Sequence, residues 1–172
     1  MSNAIVTVIM VALMLSGVSL LASTSLTAVG NISESWKDME VRSGALTRTD
    51  IRAISTSYTT PILEVTVENT GREALRNFAK WDVLVQYYET DGTYHTKYLA
   101  YTTASPVADN TWGTAGIYID ASAAKEEAFQ PNILDPSEEV VIRLKVSPSA
   151  NGAANNLVVI GTPNGVTVSK PF

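Results

Sequence analysis

The chain is 172 residues long with a mass of 18.4 kDa, the size of one domain with or without an appendage, which excludes a large multidomain enzyme. Its 12 Lys and Arg against 17 Asp and Glu leave a net charge of −5, the wrong sign for neutralising phosphates, so nucleic acid is excluded as a partner. Without cysteine there are no disulfides, thiolate chemistry, iron–sulfur clusters or Cys-based zinc sites, and a single histidine, His95, excludes two-His metal motifs.

The charges are unevenly placed, for all 29 of them lie after Ser33. From Ala4 to Ala22 the sequence AIVTVIMVALMLSGVSLLA is interrupted only by Thr7, Ser16, Gly17 and Ser19. At about 1.5 Å per residue a run of this length crosses a hydrocarbon layer of about 30 Å, where it must be helical to satisfy its own backbone. The first proline is Pro61, and the expected helix runs from about Ser2 to Ile32. Ser16, Ser19, Ser23 and Thr27 recur at helical spacing and place a stripe of small residues along one side, where another helix can approach closely.

After residue 33 the pattern becomes alternation with turn signals, the mark of half-buried strands. Leu63, Val65 and Val67 alternate with Glu64, Thr66 and Glu68 before the turn Asn69-Thr70-Gly71. Val83, Val85 and Tyr87 alternate with Leu84, Gln86 and Tyr88. Asp91-Gly92 leads as a tight turn into Thr93–Leu99, predicting a hairpin. Gly116–Ile119 reads as a further strand, as does the alternation of Val140, Ile142, Leu144 and Val146. Asn156–Ile160 and Val166–Val168 flank a Pro163-Asn164-Gly165 turn as a second hairpin. Ala121–Phe129 hints at a helical turn. The expected fold is α+β, a long N-terminal hydrophobic helix followed by an antiparallel immunoglobulin-like sandwich, with domains at 1–33 and 34–172.

Three readings compete for the apolar start. A cleavable signal opens with Lys or Arg and has a shorter apolar core, whereas Met1-Ser2-Asn3 carries no basic side chain. A single-span anchor shows a Lys/Arg excess on one flank. The third reading is a helix held in the membrane before assembly that then leaves lipid for a bundle of identical helices. A helix apolar all round is buried on all sides, and an open heterologous repeat of one subunit generates a filament. In this reading the bundle contacts come from Ile5, Val8, Ile9, Leu13, Ser16, Leu20 and Leu21.

Joined to a β-rich domain containing PILEVTVENTG, KWDVLVQYY and LDPSEEVVIRLKV, the start MSNAIVTVIMVALMLSGVSLLASTSLTAVG resembles an archaellin, the filament subunit of the archaellum within the type IV pilin-like superfamily. The resemblance implies a helical homopolymer for swimming, with Met1–Ile32 helices in the core and Glu34–Phe172 outside. It also implies an extracellular filament, inserted in the membrane before assembly, with an assembly motor and a prepilin-type peptidase as partners. Family precursors carry a basic leader, so the chain is expected to be the mature form or one processed differently. Bacterial-type pilins carry Glu at the fifth mature position where this chain has Ile5, a departure that favours the archaellin pattern. The alternative is a membrane-anchored accessory subunit or pilin-like adhesion module of the cell envelope.

No enzyme is expected, and no cofactor or metal. The clusters Glu126-Glu127 and Asp135, Glu138, Glu139 lack the spacing of a calcium loop and read as solvated loop charge. His95 reads as a surface or interfacial imidazole. Asn31-Ile32-Ser33 is a glycosylation sequon at the end of the apolar helix, where a glycan at Asn31 would obstruct bundling. Trp81 is expected in the core or its rim. Tyr87, Tyr88, Tyr94, Tyr98 and Tyr101 are expected to face neighbouring subunits or, as a sharper alternative, to form a carbohydrate platform.

Overall fold

A computed structural model describes residues 2–152 and 155–172. They form two compact units, Met1–Ser43 and Gly44–Phe172. The expected end of the helix at Ile32 is corrected: α1 is one helix, Ser2–Arg48, of 47 residues, about 70 Å long at 1.5 Å per residue. The charges beginning at Glu34 mark a change of surface and leave the backbone helical. Ser33–Arg48 holds no proline and one glycine among good formers such as Glu34, Lys37, Met39, Glu40 and Leu46. Glu34 and Lys37 are three apart and Asp38 and Arg42 four apart, spacings that support a solvated helix.

In the second unit, the helix end is capped by a loop distant in sequence. The Thr49 hydroxyl donates to the Ala45 carbonyl at 2.8 Å, and the Arg72 N–H donates to the otherwise orphaned Arg48 carbonyl at 2.7 Å. The Thr70 and Gly71 amides both donate to the Asp50 carbonyl. This approach requires glycine at 71, because a Cβ there would lie 2.5 Å from both Arg48 O and Asp50 N. Backbone on both sides leaves no flexible group to give way. Gly71→Ala is therefore expected to cost about 1–3 kcal/mol, the usual penalty of overpacking, read as a lower denaturation midpoint with an unchanged denaturant slope.

The strands are β1 (Ile51–Thr59), β2 (Ile62–Asn69), β3 (Asp82–Tyr88), β4 (Tyr94–Tyr101), β5 (Thr111–Asp120), β6 (Lys125–Glu126), β7 (Glu139–Lys145), β8 (Leu157–Gly161) and β9 (Thr167–Pro171). Their order is β1-β2-β7-β5-β4-β3-β8-β9, with β6 added on β5. All pairings are antiparallel except β4 with β5, which meet in parallel at Ala100–Thr111 and Tyr101–Trp112. The sheet is thus mixed where pure antiparallel pairing is expected. The reason lies in the connection after β4: Asn110 donates to the Lys145 carbonyl and its own carbonyl accepts from Ala100, bringing the chain back to run beside β4 in the same direction.

Alternation decides which face is inside. Leu63, Val65, Val67, Val83, Val85, Leu99, Trp112, Val140, Ile142, Leu144, Val158 and Ile160 are buried, and those on β2, β3 and β7 are the positions that period-two reading picks out. Tyr87 follows Val83 and Val85 into this core and is fully buried, which corrects its expected place at a subunit surface. No helix forms at residues 121–129: a turn carries the chain into β6 and then a loop.

The Tyr87 hydroxyl is buried without a hydrogen-bond partner. Burial raises its pKa, and the charge of Glu89 and the neighbouring Tyr58 add to the effect. The folded state therefore holds the phenolic proton more tightly than the unfolded chain, and stability falls as pH rises from about 10, where the unfolded phenol ionises. Tyr87→Phe removes an unpaired hydroxyl. It is expected to be neutral or stabilising by up to about 1 kcal/mol at pH 7, with a smaller alkaline loss than the parent in parallel denaturation curves at pH 9 and 11.

Candidate functional site

The residues assigned to assembly all lie on α1 and are exposed on it: Ile5, Val8, Ile9, Leu13, Leu20 and Leu21 keep between 53% and 69% of their surface. At about 100° per residue, Ile5, Ile9, Leu13, Ser16 and Leu20 fall within about 80° of one another. Val8 lies to one side of this strip and Leu21 on the opposite flank. No single face is distinguished, because Val6, Met10, Val11, Met14, Leu15 and Val18 cover the rest of the circumference and are equally exposed.

Five of the hydroxyls within this surface are turned inward to the helix's own backbone. Thr7 donates to the Asn3 carbonyl at 2.9 Å, Ser16 to Ala12 at 2.8 Å, Ser23 to Leu20 at 2.9 Å and Thr27 to Ser23 at 3.0 Å. Thr24 donates to both Leu20 and Leu21. With their protons already used, these side chains present small, hydrogen-bonded knobs to their surroundings, and burying them against an apolar neighbour leaves no donor unpaired. Of the expected stripe of Ser16, Ser19, Ser23 and Thr27, three members carry such a bond and are thereby suited to close helix contact, whereas Ser19 is exposed without one. Asn31 is exposed near its end, and its carbonyl accepts from the Ser35 hydroxyl at 2.9 Å.

Beyond residue 33 the surface narrows to a seam. Val29, Ile32, Trp36 and Met39 are spaced three, four and three apart, and all four large side chains are exposed. This spacing is that of a two-helix contact line. Sequence reasoning that stopped the helix at Ile32 missed it, although the spacing was visible from Val29 onward. Val41, a large apolar side chain of the same stretch, lies off the seam.

In the β unit, several of the charged and aromatic residues singled out from sequence are held by hydrogen bonds or ring contacts, whereas Glu126 is exposed. Glu127 accepts from the Phe129 and Gln130 amides, Glu138 from the Asp135 amide and Glu139 from the Ala121 amide. They organise loops, and no group of three His, Asp or Glu placed to hold a metal occurs among the described residues. Burial raises the Glu138 carboxyl above the usual range, against the lowering effect of the Asp135 amide. His95 is half-buried, with Nε2 3.1 Å from a Glu89 carboxylate oxygen and its ring stacked on Tyr87 at 5.2 Å. Trp81 is buried and stacked at a tilt on Phe78. Tyr94 and Tyr98 are exposed, the latter donating to Asp82 at 2.9 Å.

Neither a protein-family model nor a curated protein matches the chain. Among solved structures it is similar to the archaellum periplasmic stator protein FlaG from Sulfolobus acidocaldarius, at 20% identity over 72% of this chain and 99% of that one with a TM-score of 0.47. It is similar to the same organism's stator complex of FlaF and FlaG, at 20% identity over 71% of this chain and 87% of that one, TM-score 0.47. It is also similar to the archaeal flagellin FlaB1 from Methanocaldococcus jannaschii, at 12% identity over 72% of this chain and 88% of that one, with a TM-score of 0.49.

Proposed function

We propose that the chain is a structural subunit that polymerises through its N-terminal helix into an archaellum-like filament for swimming. The observation that carries this reading is a charge-free helical surface, apolar on every side, five of whose hydroxyls are bonded to the helix itself. Twelve large side chains between Ile5 and Leu21 each keep 51% to 72% of their surface in the isolated chain. At about 1.5–3 kcal/mol for each one withdrawn from water, their burial is worth on the order of 20–35 kcal/mol before association costs. Such a surface demands cover. A bundle of identical helices supplies it on all sides, and the outer domains then meet the medium and one another.

Lipid provides the cover before assembly. Transfer from lipid to the bundle gains far less than transfer from water, because acyl chains are as apolar as leucine, so extraction calls for an energy-coupled assembly motor. A prepilin-type peptidase is the processing partner of this reading, and the finished filament is extracellular. The second reading, a membrane-anchored accessory or adhesion module, is favoured by the same helix being long and apolar enough to cross a membrane. Shearing intact cells separates the two. A filament subunit is released and pellets as long fibres visible by electron microscopy, whereas retention of all the protein in the membrane fraction overturns the filament reading.

A further inference from the structure

We propose that the β unit carries, on the outward face of β5, a binding pocket for a carboxylate-bearing saccharide. The pocket lies between the segment that follows β4 and the face of β5. Its volume is about 340 Å³, at the lower end of the range for small-ligand sites, about 300–1,000 Å³.

The wall is built and held. The Thr102 amide donates to the Trp112 carbonyl at 2.8 Å, and the Thr102 hydroxyl accepts from the Ala104 amide at 3.0 Å. The segment lies so close to β5 that a Cβ on Gly113 would sit 2.6 Å from the Thr102 carbonyl. Glycine at 113 is what lets this wall approach the strand.

The lining chooses the ligand class. Thr102, Thr103, Ser105 and Thr114 supply hydroxyls and Asn132 an amide, groups that donate and accept in turn and so match the hydroxyls of a sugar. Tyr101, Val107 and Ala115 supply apolar surface for the C–H face of a pyranose ring. The only charged lining residue among those described is Arg143. Its Nε donates to Glu64 Oε1 at 2.7 Å and its Nη2 lies 2.6 Å from the same oxygen. Glu64 does not line the pocket; it fixes the guanidinium plane through Nε and Nη2 and offsets its charge, so what Arg143 offers a ligand is its remaining N–H donors. A ligand carboxylate is the complement of that arrangement.

This inference is independent of the filament reading. It is tested by calorimetric titration of the full chain in a zwitterionic detergent, which avoids glycoside headgroups, with glucuronate, galacturonate, glucose and acetate as probes. At least one uronate is expected to bind saturably and at least tenfold more tightly than glucose or acetate. Arg143→Met is expected to erase the preference over glucose. Ala115→Trp, a substitution at an exposed β5 position that needs no change in the core, is expected to abolish binding by filling the pocket. Failure of both uronates to saturate overturns the proposal. So does acetate binding as tightly as the uronates, which would reduce the site to a carboxylate contact, or uronate binding that survives Ala115→Trp in a folded protein.

Discussion

Cells producing Leu13→Asp in place of the parent chain are expected to yield no filaments, with the β unit unfolding within about 0.5 kcal/mol of the parent, as distant surface changes do. Leu13 keeps 68% of its surface on α1, so the substitution removes no buried core contact. In a bundle, however, the carboxylate is stripped of water with no cation within reach, for the stretch from residue 2 to Ser33 contains none. The effective penalty for such an ion is several kcal/mol, and every subunit added to the polymer incurs it again. Ile9→Asp is expected to behave in the same way. Leu13→Met conserves volume and polarity and should assemble normally. Ser16→Ala should also assemble, because the Ser16 hydroxyl donates to Ala12 within its own helix and contributes no bond to a neighbour. Intact filaments from Leu13→Asp, seen by negative-stain microscopy, would contradict the helical bundle.

The second large effect is expected inside the β unit, where Asn69→Ala should lower stability by about 3 kcal/mol or more. Asn69 is fully buried at the end of β2. Its amide nitrogen donates to the Glu73 carbonyl at 2.8 Å and to the Leu134 carbonyl at 2.9 Å, while its side-chain oxygen accepts from the Gly71 amide at 3.1 Å. One side chain thus satisfies three backbone groups of two separate loops. Truncation removes three hydrogen bonds at about 0.5–1.5 kcal/mol each; the Gly71 amide keeps the Asp50 carbonyl and the Leu134 carbonyl keeps the Leu75 amide, while the Glu73 carbonyl loses its Asn69 donor at a cost of about 1–3 kcal/mol before relaxation. It also frees the 69–73 loop, whose Arg72 amide closes the end of α1. Thermal unfolding of the full chain should move down by about 10 °C. A midpoint within a degree of the parent would show that the loop is held by something else.

Much of the β unit is legible in the sequence because its inner strands obey a single rule. On β2, β3 and β7 every second residue is a large aliphatic or aromatic side chain, and the sheet buries those positions. Strand β1 is not legible in this way. After Ile54 its sequence IRAISTSYT is small and polar except for Tyr58, and a register shift between Ala53 and Ser55 breaks the alternation. Tyr87 shows the opposite error, since its phase with Val83 and Val85 placed it inside while the company of Tyr88 and Tyr94 drew it toward a surface role. Asn69 was visible only as a turn residue. Its buried network depends on Leu134, 65 positions away, and no local pattern encodes that.

The assembly helix is legible as composition but not as extent. A run of apolar residues announces itself, yet helix propensity does not distinguish Glu, Lys and Arg from Leu and Met, so the appearance of charge says nothing about where the backbone stops being helical. The saccharide pocket is the least legible feature. Thr102, Thr114, Asn132 and Arg143 come from four separated stretches, and only the return of the chain from β4 to a parallel β5 brings them together.

The most direct measurement of helix bundling uses the absence of cysteine from the chain. A single Ser16→Cys substitution accepts one spin label, at a position where a small side chain faces outward on α1. In sheared fibres, packed helices with axes about 8–10 Å apart predict strong dipolar coupling between labels on neighbouring subunits, relieved when labelled chains are diluted with unlabelled ones. Labels that behave as dispersed and uncoupled in the assembled state, each helix standing alone, would contradict it.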